Sequence, residues 1–249
     1  MYSITIRFYE ELNFFLPYCQ KKKDIEISFQ GKRSVKDLIE SLGIPHVEVD
    51  LILVNSESVD FQYLVKDGDL ISVYPVFEKF DIRNITKLRS TPLRRVSFVL
   101  DVHLAKLARK LRLLGFDVDY SSHRDDEELA VISQKENRIL LTRDKQLLMR
   151  RIIERGLYVR NQDPEEQVVE IIKRLDLKNE CKPFTRCMKC NGIIKFFDYK
   201  KHENIIKETI PSGVKSWCNE YYQCETCNHI YWKGSHYDKL MKKIGLYLS

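Results

Sequence analysis

The chain has 249 residues, 43% hydrophobic and 31% charged, a composition that suits a folded protein of two or three compact domains. No apolar run approaches the roughly 20 residues of a spanning helix. The opening Met1-Tyr2-Ser3-Ile4-Thr5-Ile6-Arg7 reads as a strand with no secretory signal, so a cytoplasmic protein with no membrane partner is expected. The formal charge of +6 is unevenly placed: residues 1–90 hold 12 Lys and Arg against 14 Asp and Glu, residues 91–177 hold 17 against 15, and residues 178–249 hold 13 against 7. A positive field gathered at the C-terminal end is the electrostatic footprint of a nucleic-acid partner, and solubility alone is the plainer account of it.

Residues 1–80 carry the first pattern. Alternating apolar residues over Ser3–Tyr9 predict a strand, and Asp24–Phe29, after the basic turn Lys21-Lys22-Lys23, predicts its hairpin partner. Ser34 caps a helix over Val35–Leu42 that Gly43 closes. Leu51–Asn55 and Asp69–Tyr74 supply two more strands. Strand, strand, helix, strand, strand is the order of a β-grasp, ubiquitin-like fold. The ending Val65-Lys66-Asp67-Gly68-Asp69-Leu70-Ile71-Ser72-Val73-Tyr74-Pro75 resembles the ubiquitin-like sulfur carriers of thiamin and molybdopterin synthesis. Those carriers need a terminal Gly-Gly, whereas this chain runs on into Val76-Phe77-Glu78-Lys79. A docking or substrate-guiding role is therefore expected in place of sulfur transfer.

Residues 81–95 mix charge with Ser90-Thr91-Pro92 and read as a linker. Over residues 96–177 strands alternate with helices. Val96–Leu100, Val118–Ser121, Arg138–Thr142 and Leu157–Arg160 are the strands; His103–Leu114, Asp126–Glu136, Lys145–Glu154 and Pro164–Leu175 are the helices. Gly115 ends the first helix, and Asp163 with Pro164 opens the last. That alternation predicts a three-layer α/β domain with a parallel sheet.

In such a sheet ligands bind beyond the carboxyl ends of the strands. Asp101 follows the first strand directly, Asp144 follows the third after Arg143, and Asp125 and Asp126 open the helix after the second. Carboxylates so placed suit Mg²⁺ or Mn²⁺, which lower the pKa of a bound water and offset phosphate charge. Each acid also has a structural task open to it: Asp125 or Asp126 as a helix cap, Asp144 as the cap of the next helix, Asp163 as the cap of the last. In the first helix Leu104, Leu107, Ala108, Leu111 and Leu114 form the buried stripe, while Lys106, Arg109, Lys110 and Arg112 lie off it. Arg109 and Arg112, three apart, and Arg143 beside Asp144 are candidate phosphate contacts, with a solvated basic face as the alternative.

Residues 178–249 break into short pieces around Cys187-Met188-Lys189-Cys190 and Cys224-Glu225-Thr226-Cys227. Two Cys-x-x-Cys pairs in a reducing compartment predict a structural Cys₄ zinc site, a zinc ribbon with an insertion between its knuckles. Cys19, Cys181 and Cys218 fall outside the pattern as free thiols. Trp232, Lys233 and His236, beside Tyr231, are candidates for stacking on unpaired bases and meeting phosphate; filling the ribbon's own core is the alternative for the aromatic pair.

Several of these segments, taken in order, resemble the Mut-seven C-terminal RNase family, a PIN-like domain fused to a zinc ribbon. They are Phe98-Val99-Leu100-Asp101, Leu107 to Asp117, Arg138-Ile139-Leu140-Leu141-Thr142-Arg143-Asp144, Phe184-Thr185-Arg186-Cys187-Met188-Lys189-Cys190-Asn191 and Tyr231-Trp232-Lys233-Gly234-Ser235-His236. The front domain also looks like one fused to this family. The resemblance implies a PIN-type fold whose acids chelate Mg²⁺ or Mn²⁺, with Asp101 and Asp144 as ligands and Asp125 or Asp126 as the third, and action on RNA. The expected function is a metal-dependent ribonuclease acting on RNA, tRNA included, with a protein partner at the ubiquitin-like domain. The alternatives are a non-catalytic RNA-binding adaptor and an enzyme that modifies tRNA ends.

Overall fold

The computed structural model describes residues 1–76, 85–88, 96–197, 210 and 212–248. The expected linker lies outside the described residues except at 85–88, as does most of the expected insertion between the knuckles. The chain divides into two compact units, Met1–Val96 with Arg124–Tyr158, and Ser97–His123 with Val159–Ser249.

The first unit opens with the ubiquitin-like sheet. β1 (Tyr2–Phe8) turns Ile4, Ile6 and Phe8 inward and pairs antiparallel with β2 (Asp24–Phe29), Ile6 opposite Ile25. Helix α1 (Val35–Ser41), its first turn bound by Ser34 Oγ accepting from Asp37 N at 3.1 Å, buries Val35, Leu38 and Ile39. β3 (Val49–Val54), β4 (Glu57–Ser58) and β5 (Leu70–Pro75) complete the sheet in the order β2-β1-β5-β3-β4, with β1 and β5 parallel. This is the β-grasp expected from the sequence. Its β1–β2 connection is longer than a hairpin turn, being two 3₁₀ turns (Glu10–Phe15 and Tyr18–Gln20). Asn13 holds them, donating to Phe8 O at 2.9 Å and accepting from Lys22 N at 2.6 Å. The Lys66-Asp67-Gly68-Asp69 stretch is a structural turn: Gly68 sits at φ +81°, and buried Asp69 accepts from Lys66 N at 2.8 Å and Asn55 Nδ2 at 3.0 Å. Of the described linker residues, Thr86 donates to Asp50 O at 2.6 Å and Leu88 packs on the β-grasp core.

The same unit holds α3 (Asp126–Lys135), β8 (Ile139–Thr142), α4 (Lys145–Leu148) and β9 (Gly156–Tyr158), with β8 and β9 parallel. The sequence predicts a helix through Glu154, but α4 stops at Leu148. Beyond it the Ile153 carbonyl lies 3.0 Å from His46 Nε2, and Leu140 N donates to Arg155 O at 3.1 Å, so this segment is held by the front domain and by β8. Tertiary contacts of this segment override its local helix propensity.

In the second unit β6 (Ser97–Leu100) and β7 (Asp117–Tyr120) run parallel, joined by a 3₁₀ turn (Val102–Leu104) and α2 (Ala105–Leu113). The stripe Leu104, Leu107, Ala108, Leu111 and Leu114 is buried as expected. Gly115, at φ +92°, closes the helix; a Cβ there would lie 2.1 Å from Lys182 O. The helix's last carbonyls, Leu113 O and Leu114 O, accept from Phe184 N at 2.9 Å and Lys182 N at 2.8 Å, so the segment entering the ribbon is also the helix cap. α5 (Pro164–Arg174) starts at Asp163, whose side chain accepts from Glu165 N at 2.8 Å and Glu166 N at 3.2 Å, the capping role open to that residue.

The C-terminal module has a three-stranded antiparallel sheet, β10 (Ile194–Phe197), β11 (Tyr221–Cys224) and β12 (Ile230–Trp232), with a short helix α6 (Ser212–Lys215). Phe197, Ile210, Cys218, Tyr221 and Ile230 form its core. A further helix beyond the sequence expectation, α7 (Ser235–Leu248), buries Ile244 and Tyr247. It reaches α5 and α2 through Glu165, which receives Tyr247 Oη, Lys243 Nζ at 2.7 Å and Lys110 Nζ at 2.6 Å. No helix among the described residues is long and apolar enough to cross a membrane.

Candidate functional site

The two Cys-x-x-Cys pairs fold alike. In each, the residue after the second cysteine is an asparagine in the left-handed region, Asn191 at φ +71° and Asn228 at φ +58°. Asn191 N donates to Cys187 O at 2.9 Å, and Asn228 N to Cys224 O at 3.0 Å. Asparagine tolerates that conformation better than other side chains, which is why both knuckles carry it. The four Sγ atoms of Cys187, Cys190, Cys224 and Cys227 all lie within 4.8 Å of one another, with Cys187–Cys227 at 3.6 Å and Cys190–Cys224 at 3.4 Å. Zinc–sulfur bonds of about 2.3 Å in a tetrahedron need sulfurs about 3.8 Å apart. The set therefore fits a Cys₄ zinc ion after small adjustments.

Burial raises the Cys187 thiol, but the Tyr231 hydroxyl at 3.1 Å and the amides of Cys190 and Lys189 outweigh it and bring the group down to about 6. Burial pushes Cys190 up to about 12. One thiolate is thus favoured by the protein alone, and a dication would supply the countercharge for the others. Gly192 matters here for space: a Cβ would fall 2.4 Å from Thr226 Oγ1 and 2.7 Å from Cys224 Sγ.

The first knuckle is bolted to β7. Asn191 Oδ1 accepts from Val118 N at 3.0 Å while its Nδ2 donates to Asp117 Oδ1 at 2.9 Å, and Arg186 Nη2 meets Asp117 Oδ2 at 3.1 Å. Arg112 completes the joint. Its Nε and Nη2 donate to Val118 O at 3.1 and 2.9 Å, and its Nη1 donates to Lys189 O at 2.9 Å. The sequence offers Arg112, with Arg109, as a phosphate contact, and the structure gives it this second task. Arg112 is 4% exposed, and its donors are spent on carbonyls of β7 and the knuckle. Burial in turn lowers the guanidinium pKa from its ordinary value.

The four candidate acids lie where the sequence put them, at strand ends and helix starts. Asp101 belongs to the second compact unit, and Asp125, Asp126 and Asp144 to the first. Asp101 is 8% exposed, directly after β6, with Oδ1 accepting from His103 N at 3.3 Å. Asp144 is exposed after β8, and its Oδ1 accepts from Gln146 N at 2.7 Å and Leu147 N at 3.3 Å. Asp125 caps α3 in a reciprocal box with Glu128, 2.8 Å from Glu128 N. Asp126 lies 3.7 Å from Arg150. Among the described residues, the four cysteines alone form a group of three or more side chains near enough to share an ion.

Of the candidate RNA contacts, Arg109 is exposed on α2 and Arg143 half-buried beside Asp144. Trp232 packs against the ribbon core, the plainer of the two tasks open to it. Lys233 is exposed and pairs with Glu220 at 2.7 Å, and His236 is exposed in the first turn of α7. An exposed pair of this kind is weak.

The model of the Mut7-C RNAse domain family matches residues 96–244, more than half of the chain. The chain belongs to that family. The Mut7-C ubiquitin domain matches residues 1–81, so both parts of the resemblance read in the sequence hold. No curated protein and no solved structure matches the chain. As a Mut7-C RNAse domain it is ribonuclease-related, with a four-cysteine cluster that fits zinc.

Sequence reasoning about this Mut7-C chain missed the joint made by Arg112, Asp117, Arg186 and Asn191. One signal was legible: the asparagine after each Cys-x-x-Cys pair marks the knuckle turn. The partners of Asn191 are more than 70 residues away in sequence, and no local pattern marks them.

Proposed function

We propose that this chain is a cytoplasmic divalent-metal-dependent ribonuclease that hydrolyses RNA phosphodiester bonds, with tRNA among its candidate substrates. The observation that carries the reading is the repeated strand-end carboxylate. Asp101 directly follows β6 and Asp144 follows β8 after Arg143, and each carboxylate accepts from a backbone N–H of the following turn. Such a bond fixes the direction of a strand-end carboxylate, and carboxylate oxygens are the ligands a hard divalent cation takes. Asp101 and Asp144 would hold Mg²⁺ or Mn²⁺, with Asp125 or Asp126 as the third ligand. The ion, when bound, would lower the pKa of a water and offset charge on the scissile phosphate. Arg109 and Arg143 would steer the backbone, and Lys233, His236 and the Trp232 edge would meet the strand at the ribbon. In this reading residues 1–80 are the ubiquitin-like module, 96–177 the PIN-like nuclease and 178–249 the ribbon, with 81–95 between the first two.

One observation favours a second reading, an RNA-binding adaptor. Asp101, Asp125 and Asp144 each bond a backbone amide at a helix or turn start, a sufficient structural reason for their presence. The test is end-labelled tRNA and unstructured RNA incubated with Mn²⁺, Mg²⁺ or EDTA, beside the Asp101→Asn, Asp144→Asn double variant. Metal-dependent shortening that the double variant lacks supports the ribonuclease. Equal binding with unchanged length supports the adaptor, and lengthened or modified RNA supports an enzyme of tRNA ends.

A further inference from the structure

The ubiquitin-like domain and the segment that carries Asp144 share one compact unit, and their contact surface is built from unlike and specific interactions. Glu48, 1% exposed, sits at the end of a 3₁₀ turn (His46–Glu48), and its Oε1 accepts from Tyr158 N at 2.7 Å. That amide belongs to β9, so a side chain of the front domain takes a backbone donor of the strand. His46, 6% exposed, bridges Glu40 Oε1 at 2.7 Å and Ile153 O at 3.0 Å. At Gly156 a Cβ would lie 3.4 Å from Val47 Cγ2, so strand and turn are in close approach there. Phe14 and Phe15, from the long β1–β2 connection, set their rings 5.9 and 5.7 Å from the Tyr158 ring.

Lys145 ties this surface to the candidate active centre. Its Nζ lies 5.1 Å from the Phe15 ring centre and 5.8 Å from that of Tyr158, a cation between two aromatic faces. Lys145 is the residue after Asp144 and opens α4, the turn whose amides at Gln146 and Leu147 orient the Asp144 carboxylate. A second route runs through the sheet, since β9 pairs with β8 and β8 leads into Asp144.

We infer that the ubiquitin-like domain is a fixed buttress of the Asp144 loop, with Lys145, Phe15 and Glu48 as positioning residues. The face formed by Phe14, Phe15 and the His46–Glu48 turn binds this chain's own β9, so an outside protein partner must use another face. The part that concerns metal rests on the ribonuclease reading; the docking itself does not.

The test uses the full chain in four forms: wild type, Lys145→Gln, Lys145→Arg and Glu48→Ala. Two quantities are measured, hydrogen–deuterium exchange over residues 139–158 and Mn²⁺ affinity by electron paramagnetic resonance, with zinc content as the control for folding. Lys145→Gln is expected to speed exchange in α4 and to weaken Mn²⁺ binding about fivefold, the scale of one partly desolvated cation–aromatic contact. Lys145→Arg keeps the charge over the rings and is expected to match wild type. Glu48→Ala is expected to release the Tyr158 amide, with zinc content unchanged in all four. Cleavage of RNA by Lys145→Gln should fall in kcat at saturating Mn²⁺ with KM unchanged. Exchange over 139–158 unaltered in both Lys145→Gln and Glu48→Ala would overturn the buttress. Faster exchange in a protein whose wild type binds no Mn²⁺ would uphold the docking and remove the ribonuclease reading instead.

Discussion

Replacing Arg112 by methionine separates a structural role from a phosphate contact, because its burial and its bonds to carbonyls call for a large stability effect. The guanidinium makes three short hydrogen bonds, two to Val118 O at 3.1 and 2.9 Å and one to Lys189 O at 2.9 Å. Bonds from a charged donor are worth about 1.5–3 kcal/mol each, and the stranded carbonyls add their own desolvation cost. Relief from burying a charge in a site 4% exposed works the other way. The net expectation is a loss of about 3–5 kcal/mol for Arg112→Met. Arg112→Lys, which reaches one carbonyl and lacks the fork, should recover less than half of it. The assay is urea unfolding followed by tryptophan emission. Both tryptophans, Trp217 and Trp232, lie in the C-terminal module, so the signal reports the part that Arg112 holds to β7. A variant within about 1 kcal/mol of wild type, with weakened RNA binding, would refute the structural role and favour the phosphate contact.

Three further outcomes follow from the same geometry. Gly192→Ala places a methyl group 2.7 Å from the Cys224 sulfur, and overpacking of about 1–3 kcal/mol should weaken zinc binding by roughly 5- to 150-fold in a chelator competition; unchanged affinity would mean that the knuckles yield without cost. Chelation of the metal should release about one zinc per chain and shift tryptophan emission, since four thiols without a cation cannot hold the two knuckles together; removal with no spectral change would sink the structural-zinc assignment. Glu165 is held down to about 2 from 4.5: burial opposes this, but Lys110, Lys243 and Tyr247 outweigh it. A depressed carboxylate stabilises the fold fully above pH 4.5, and that share is lost as pH falls through about 2. The melting-temperature gap between wild type and Glu165→Gln should therefore be constant above pH 4.5 and close toward pH 2; a gap that ignores pH would show the cluster to be inert.

Local pattern was enough for much of this protein. The alternation of Ile4, Ile6 and Phe8, the stripe from Leu104 to Leu114, Gly115 at the end of α2 and the Asp163-Pro164 start of α5 are short-range signals, because period and capping act within one element. The paired knuckles were equally legible, since ligand spacing is a property of a single turn. Tertiary structure decided the rest. Lys145 to Glu154 has the composition of a helix, yet α4 ends at Leu148, and beyond it the Ile153 carbonyl meets His46, 107 residues distant. Arg109 and Arg112 look alike on a helical wheel, but β7 and the first knuckle close over one of them and leave the other in water. A hydrogen-bonding group takes whichever partner the fold brings near, and when that partner is a hundred residues away no window of sequence contains both.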